Sequence, residues 1–302
     1  MKLTDAGLET VLVFEEGFEL PQFAAFPLVD SEDGRAALRR YYAPFMELAR
    51  DRGVPLVVSA PTWRANADWG RLLGYEGDDL TAVNRRAVAF VEAVRDEVLE
   101  PAERGSVVVE GSIGPRSDAY NPTLLMDADT AERYHAAQLQ TFADGGCAQA
   151  TALTLTYPDE AIGIVRAATA AGIPIAVGFT VETDGQLPGG DSLEEAIVAV
   201  DAATDGAAEF FVINCAHPTH FADALPTGDS RARIGGLRAN ASRLSHAELD
   251  EAEELDSGDP ADLAERCVAL RGDLPGLEVV GGCCGTDIRH VTAICDAWLA
   301  AG

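Results

Sequence analysis

The sequence predicts an α/β fold, because eight short apolar runs rich in β-branched residues alternate along the chain with longer amphipathic segments. Strands that alternate with helices form a parallel sheet whose two faces are covered. Eight such units favour closure of the sheet into a (β/α)8 TIM barrel. No low-complexity linker or change in composition divides the 302 residues, so we expect one barrel domain over residues 1–302.

The strands are predicted at the apolar runs Lys2–Asp5, Val54–Ser59, Ser106–Gly111, Ala148–Thr154, Ile173–Thr180, Glu209–Asn214, Ala232–Leu237 and Leu277–Gly281. Loops rich in Gly, Pro and polar residues follow several strands, for instance at residues 114–127 and 183–191. In a TIM barrel the loops that follow the strands share one rim, and this rim carries catalysis.

The helices are predicted from the amphipathic segments between the strands. Gly53, the pair at residues 145–146, and Gly172 each follow a helical segment and precede a strand, as left-handed helix caps do. The main predicted helices are Gly34–Asp51, Asp79–Leu99, Thr130–Asp144, Pro158–Ala171, Ser192–Ala203, Pro260–Arg271 and Asp287–Ala300.

The chain is strongly acidic, with 50 Asp and Glu against 22 Lys and Arg and a formal net charge of −28. Phosphate backbones and anionic membrane surfaces would be repelled, so neither nucleic acid nor a membrane is an expected partner. Lys2 is the sole lysine, a bias that fits either GC-rich coding or a high-salt habitat. Residues 248–262 are interpreted as a solvated acidic surface segment. The sequence does not determine the oligomeric state.

A cytoplasmic location is expected. The start of the chain has no basic segment followed by an apolar run, and no stretch reaches the roughly 18 to 20 apolar residues of a membrane span. In that compartment the six cysteines are not expected to form a disulfide framework. Three of them lie within apolar patterns and are interpreted as small core residues, namely Cys147, Cys267 and Cys295.

The other three cysteines fall at predicted strand ends. Cys215 follows the sixth strand, and Cys283 and Cys284 stand in a glycine-rich turn after the eighth. Thiolates bind zinc at about 2.3 Å, and three protein ligands leave a fourth position open for a substrate. The sequence therefore favours a catalytic zinc site. Two other interpretations are packing residues in the turn and a strained Cys283–Cys284 disulfide.

Other catalytic motifs are missing or weaker. The sequence has no phosphate-binding loop, no dinucleotide-binding Gly-x-Gly-x-x-Gly after the first strand, and no Gly-x-Ser-x-Gly elbow. His217 and His220 are possible further ligands. They are better interpreted as a residue at the start of a helix and an exposed residue, respectively.

With these features the sequence resembles the homocysteine S-methyltransferase family over almost its whole length. The resemblance is carried by segments 5–10 (Asp-Ala-Gly-Leu-Glu-Thr), 110–115 (Glu-Gly-Ser-Ile-Gly-Pro), 214–215 (Asn-Cys) and 281–286 (Gly-Gly-Cys-Cys-Gly-Thr). It implies that Cys215, Cys283 and Cys284 bind Zn²⁺ and that Asp5 helps to hold the amino group of homocysteine. Gly7, Ser112 and Asn214 lie within the matched segments and are predicted to contact the substrate.

The sequence departs from the family pattern in three places. Ala6 replaces the first glycine of an Asp-Gly-Gly motif, and Trp63 stands where relatives often have tyrosine. The glutamate that many relatives carry at the end of the fourth strand is missing. We therefore hypothesise that Glu182, which follows the fifth strand, binds the substrate amine, with Thr154 or Thr156 as a weaker polar partner.

The resemblance implies methyl transfer to a thiol. Zinc would deprotonate the thiol of homocysteine, and a cationic donor would transfer its methyl group to the sulfur to give methionine. Trp63 offers the donor a cation–π face, or packs against Trp69. Because folate and cobalamin relatives carry additional domains, we expect a small onium donor, S-methylmethionine before S-adenosylmethionine and betaine last. Two alternatives stay open, another small thiol as acceptor and a zinc-binding protein without turnover.

Overall fold

The computed structural model describes residues 1–119, 123–252 and 254–302. Eight parallel strands form a closed barrel in the order of the chain, and the pairing of β1 with β8 closes it, with Lys2 opposite Val279. The strands are β1 Lys2–Thr4, β2 Leu56–Ser59, β3 Val107–Ile113, β4 Ala150–Leu155, β5 Ile175–Phe179, β6 Phe211–Asn214, β7 Ile234–Ala239 and β8 Val279–Gly282. The predicted TIM barrel is confirmed, with strand ends shifted by a few residues.

The seven main helices are found where the amphipathic segments predicted them. Gly53 and Gly172 are left-handed caps, and Ser192 with Glu195 forms a capping box. Several additional helices are short. The α-helices are α1 Leu8–Thr10, α2 Glu32–Arg52, α3 Ala67–Leu72, α4 Asp78–Val98, α5 Ala128–Asp144, α6 Pro158–Ala171, α7 Leu193–Thr204, α8 Pro218–Phe221, α9 Gly228–Ala232, α10 His246–Asp250, α11 Pro260–Ala269 and α12 Ile288–Ala300.

The interior of the barrel contains a polar network as well as apolar side chains. The Glu110 carboxylate accepts hydrogen bonds from Ser59 at 3.0 Å and from Gln149 and Thr151 at 2.7 Å. Arg238 donates to the Ser59 hydroxyl at 2.8 Å, which extends the network toward the carboxyl ends of the strands. A buried polar network is stable only when its members are satisfied, so these side chains are expected to hold one another in fixed positions.

Across the described ranges, no helix combines the length and apolar character needed to cross a membrane.

Candidate metal centre and active site

The three cysteines predicted as ligands meet at the carboxyl ends of the strands. Cys215 follows β6, Cys283 and Cys284 follow β8, and their three sulfur atoms lie within 4.8 Å of one another. Glycines let the chain pass close to its neighbours here, because a Cβ at Gly281 would lie 2.0 Å from the Thr4 hydroxyl oxygen. Cys215 has a φ of 55°, a left-handed conformation that a non-glycine residue adopts at an energetic cost.

The sulfur positions fit a tetrahedral zinc ion. Bonds of about 2.3 Å at the tetrahedral angle would separate the sulfur atoms by roughly 3.8 Å. The Sγ atoms of Cys215 and Cys284 are 3.4 Å apart, and all six cysteines are free thiols. Hydrogen bonds from the other two thiols and the charge of Arg238 hold the pKa of Cys283 well below its usual value. The donor set therefore suits a thiophilic cation.

A cavity of about 450 Å³ opens onto the cysteines. Its wall includes side chains from the loops after several strands and from the segment around residues 249–256, including Leu249 and Leu255. The sequence predicts a solvated acidic surface for this segment, and its acids Glu254 and Asp256 are exposed. The structure adds that the segment also lines the cavity, through these acids as well as through Leu249 and Leu255.

Asp5 lies at the cavity but is already paired. Its Oδ1 is 2.9 Å from Nη2 of Arg238, its Oδ2 is 3.1 Å from the Tyr41 hydroxyl, and the side chain is 2% exposed. Burial raises the pKa of Asp5, and the charge of Arg238 opposes that rise. The negative charge of Asp5, which was predicted to face the substrate amine, is thus already balanced by Arg238.

The residues Glu182 and Thr156 do not line this cavity. Glu182 Oε1 lies 3.0 Å from Nδ1 of His246, whose Nε2 is 3.1 Å from the backbone oxygen of Cys215. Thr156 is buried, and its hydroxyl has no hydrogen-bond partner in the described part of the chain. Thr154, the other polar residue considered with Glu182, does line the cavity.

Gly7 and Asn214 support the segments that carry the cysteines. A Cβ at Gly7 would approach the backbone oxygen of Cys283 to 2.5 Å, so only glycine fits. The Asn214 side chain accepts a hydrogen bond from the Thr154 amide at 2.9 Å and donates to its hydroxyl at 2.8 Å. This bracing holds Thr154 at a left-handed φ of 64° where β4 ends. Ser112 lines the cavity from β3.

Trp63 lines the cavity and donates from its indole nitrogen to the Leu153 carbonyl at 3.1 Å. The guanidinium carbon of Arg64 lies 4.5 Å from the centre of the Trp63 ring and 4.0 Å from that of Trp69. The protein therefore places a cation of its own against Trp63. Arg64 contacts both rings, so Trp63 and Trp69 lie on the same part of the rim with this arginine against each of them.

Sequence reasoning missed several charged residues of the cavity wall, among them Glu9 and Arg238. Glu9 stands in the matched segment after β1, but no role was assigned to it. Arg238 lies in β7, all six residues of which are buried, and an arginine within such an apolar run was the available signal.

Comparisons with known proteins agree with this geometry. The sequence model of the homocysteine S-methyltransferase family matches residues 3–298. Methionine synthase from Mycobacterium leprae is 28% identical over 237 residues, which are 73% of this chain but only 18% of that protein. This chain thus spans less than a fifth of that relative.

Solved structures of the Escherichia coli homocysteine methyltransferase MmuM have a similar fold. Its metallated form superposes with a TM-score of 0.75 at 16% identity, covering 98% of this chain and 96% of that one. Its oxidized form gives 0.77 at 17% identity, covering 100% and 96%. At these identities the likeness supports the fold, whereas the match over residues 3–298 shows that the chain belongs to the homocysteine S-methyltransferase family.

Proposed function

We propose that the protein transfers a methyl group from a small onium donor to the thiol of homocysteine, giving methionine. The observation that carries this proposal is the meeting of Cys215, Cys283 and Cys284 beside a cavity at the catalytic rim of a barrel in this family. The location proposed for this activity is the cytoplasm, where a thiol cluster stays reduced.

Zinc is the metal proposed for the three cysteines, since three thiolates leave its fourth tetrahedral position for the acceptor. When bound, zinc would lower the pKa of the acceptor thiol and keep its sulfur nucleophilic. Arg238 forms an ion pair with Asp5, and its positive charge also acts on the Cys283 thiolate. Because the Asp5 carboxylate balances this charge, the pair as a whole adds no net positive charge beside the cluster.

The residues of the chain position the two substrates. The acceptor sulfur attacks the donor methyl carbon in line, a new S–CH3 bond forms, and the bond from the methyl group to the donor heteroatom breaks. The electron pair of that bond stays on the donor, which leaves neutral, and the proton of the thiol passes to water. A closely packed cavity wall would hold the reacting atoms in line, which is a large part of the acceleration available to such a displacement.

A sulfonium donor fits the composition of the wall. Phe14, Phe23 and the part of Trp63 that lines the cavity offer apolar and aromatic surface, and the acids of the wall outnumber its arginines, which gives the cavity negative charge. A cation with apolar substituents is favoured by both features. S-methylmethionine and S-adenosylmethionine are the proposed donors, with betaine third.

A different small thiol is a second candidate acceptor. The observation that favours it is Thr154, a neutral residue at the end of β4 on the cavity wall. A zinc-binding role without turnover is the third candidate.

A matrix of thiols and donors tests these alternatives. Protein loaded with zinc and verified by metal analysis is incubated with each thiol–donor pair, and products are identified by mass spectrometry. Methionine from homocysteine supports the proposal. Methylation of another thiol and not of homocysteine would make that thiol the acceptor. Tight zinc binding with no product from any pair would favour a zinc-binding role without turnover.

A further inference from the structure

An amino-acid acceptor brings an ammonium group into a partly desolvated cavity, where an unpaired charge is costly. Two acids were expected to meet this charge. Asp5 is compensated by Arg238 and Tyr41, and Glu182 lies with His246 away from the cavity wall. The structure therefore leaves the ammonium without the carboxylates predicted for it.

Glu9 supplies a carboxylate at the required place. It belongs to the short helix α1, lines the cavity, and is partly buried. Among the hydrogen bonds and ion pairs of the described ranges, the Glu9 carboxylate accepts from its own backbone N–H, and the charge of Arg64, which pairs with Asp118, acts on it only weakly. Burial raises its pKa to about 7, with smaller contributions from the charges of Cys283 and Asp5, so the ionised carboxylate is poorly stabilised without a partner cation.

The segment that carries Glu9 is fixed against the cysteine turn. The Gly7 amide donates to the Thr286 carbonyl at 3.2 Å, and the Gly285 amide donates to the Thr10 hydroxyl at 3.1 Å. These two hydrogen bonds flank Glu9 and tie its helix to the turn that contains Cys283 and Cys284. Glu9 lines the same cavity as Cys283 and Cys284, and the charge of Cys283 acts on its carboxylate, so the carboxylate lies in the same part of the cavity as the sulfur cluster.

The dimensions of homocysteine agree with this arrangement. Its sulfur and amino nitrogen are separated by four bonds and lie at most roughly 5 Å apart. An anchor for the ammonium must therefore lie near the metal ligands and be shielded from water, and an exposed acid such as Glu254 would not serve. Among cavity acids of the described chain, Glu9 combines partial burial with electrostatic proximity to Cys283.

We propose that Glu9 is the specificity residue that binds the α-ammonium group of the acceptor amino acid. This inference rests on the proposed function. It assigns the role to a residue on the loop after β1, in place of the acid missing from the end of β4.

The test compares homocysteine with 4-mercaptobutanoate, which has the same thiol and carboxylate but no amino group. The two acceptors are measured with wild-type protein, Glu9→Gln and Glu9→Asp, all loaded with zinc. Glu254→Gln is the matched control, because it also removes one negative charge from the cavity wall but at an exposed position. Equilibrium binding of each acceptor without donor is measured beside kcat/KM.

Wild-type protein is expected to prefer homocysteine, and Glu9→Gln to reduce that preference roughly 10- to 100-fold, as expected for loss of a charged hydrogen bond. Glu9→Asp should retain part of the preference, and Glu254→Gln all of it. Zinc content should be equal in the four proteins.

An unchanged preference in Glu9→Gln would overturn the inference while leaving the proposed function intact. An equal loss for both acceptors would also overturn it, since Glu9 would then act on the thiol or the donor. If wild-type protein neither binds nor methylates homocysteine, the proposed function fails and the inference fails with it.

Discussion

Nη2 of Arg238 lies 2.9 Å from Oδ1 of Asp5, and the two side chains are 6% and 2% exposed. The pair lies near the cysteine cluster, because the charge of Arg238 acts on Cys283 and Arg238 also donates to the backbone oxygen of Gly282 at 3.2 Å. It therefore connects β7 to β1 and to the end of β8. Asp5, to which the family resemblance assigns substrate binding, therefore also pairs with Arg238 to hold these strands together.

Replacing Arg238 with Gln is expected to destabilise the protein by about 3–5 kcal/mol, because it leaves the charge of Asp5 buried and unpaired. The double change Arg238→Gln with Asp5→Asn should cost less than the two single changes together. Urea denaturation of the four proteins measures this coupling. Arg52→Gln, which breaks an exposed pair with Asp296, is the control and should change stability by about 0–1 kcal/mol.

Replacing Cys283 with Ala is expected to remove most of the zinc and the activity, since two thiolates are a poor site for a catalytic metal. The same result is expected for Cys215→Ala and Cys284→Ala. Cys295→Ala is the matched control, because this buried cysteine lies in α12 outside the cluster. Metal analysis after dialysis measures the loss. Full zinc retention by Cys283→Ala would contradict the assignment of ligands.

The sequence was sufficient for the barrel and for the meeting of the cysteines, because both depend on local patterns. A strand followed by a cysteine is visible along the chain, and parallel strands bring such ends to one rim. The partners of Asp5 were not predictable in this way. Tyr41 and Arg238 reach it from elements 36 and 233 residues away, so only the folded barrel shows that its charge is compensated.

The role of Glu182 shows a second limit of the sequence. Its position after β5 placed it correctly near the catalytic rim, but side-chain direction decides whether it faces the cavity. In the structure the carboxylate turns to His246, whose ring contacts the backbone of Cys215.

Replacing Glu182 with Gln is accordingly expected to weaken zinc affinity by roughly tenfold, as partners that orient metal ligands often do. The physical reason is loss of the His246 contact that supports Cys215 at its left-handed φ. Competition with a chelator measures the affinity, and Asp184→Asn, an exposed acid two residues away, is the control. If acceptor binding weakens while zinc affinity is unchanged, the amine-binding role hypothesised from the sequence would be favoured instead.

Raising the KCl concentration is expected to raise the melting temperature. Fifty acidic residues against 22 basic ones create repulsion between like charges in the folded protein. Between 0.1 and 1 M salt the Debye length falls from about 10 Å to about 3 Å, which screens this repulsion more than it weakens the fewer ion pairs. Thermal unfolding over that range measures the effect. A melting temperature that falls with KCl would show that the surface ion pairs outweigh the excess charge.

Replacing Glu9 with Gln is expected to stabilise the protein at alkaline pH, although it impairs recognition of the acceptor. The pKa of Glu9 is raised from 4.5 to about 7 in the folded protein, chiefly by burial. The folded state then binds more protons than the unfolded state between these values, so this residue lowers the free energy of unfolding as pH rises through that window.

At pH 4 the wild-type protein and Glu9→Gln should therefore have similar stability. At pH 8 the variant should be more stable, by at most about 3 kcal/mol, because glutamine carries no charge to bury. Urea denaturation of the zinc-free proteins at both values measures the difference without interference from the loss of zinc at acidic pH, with Glu254→Gln as the exposed control. Saturation with homocysteine should narrow the gap at pH 8, because an ammonium bound to Glu9 stabilises the wild-type carboxylate and not the glutamine. Equal stability of Glu9→Gln and wild type at pH 8 would show that Glu9 is well solvated, and the carboxylate would then have no need of a partner.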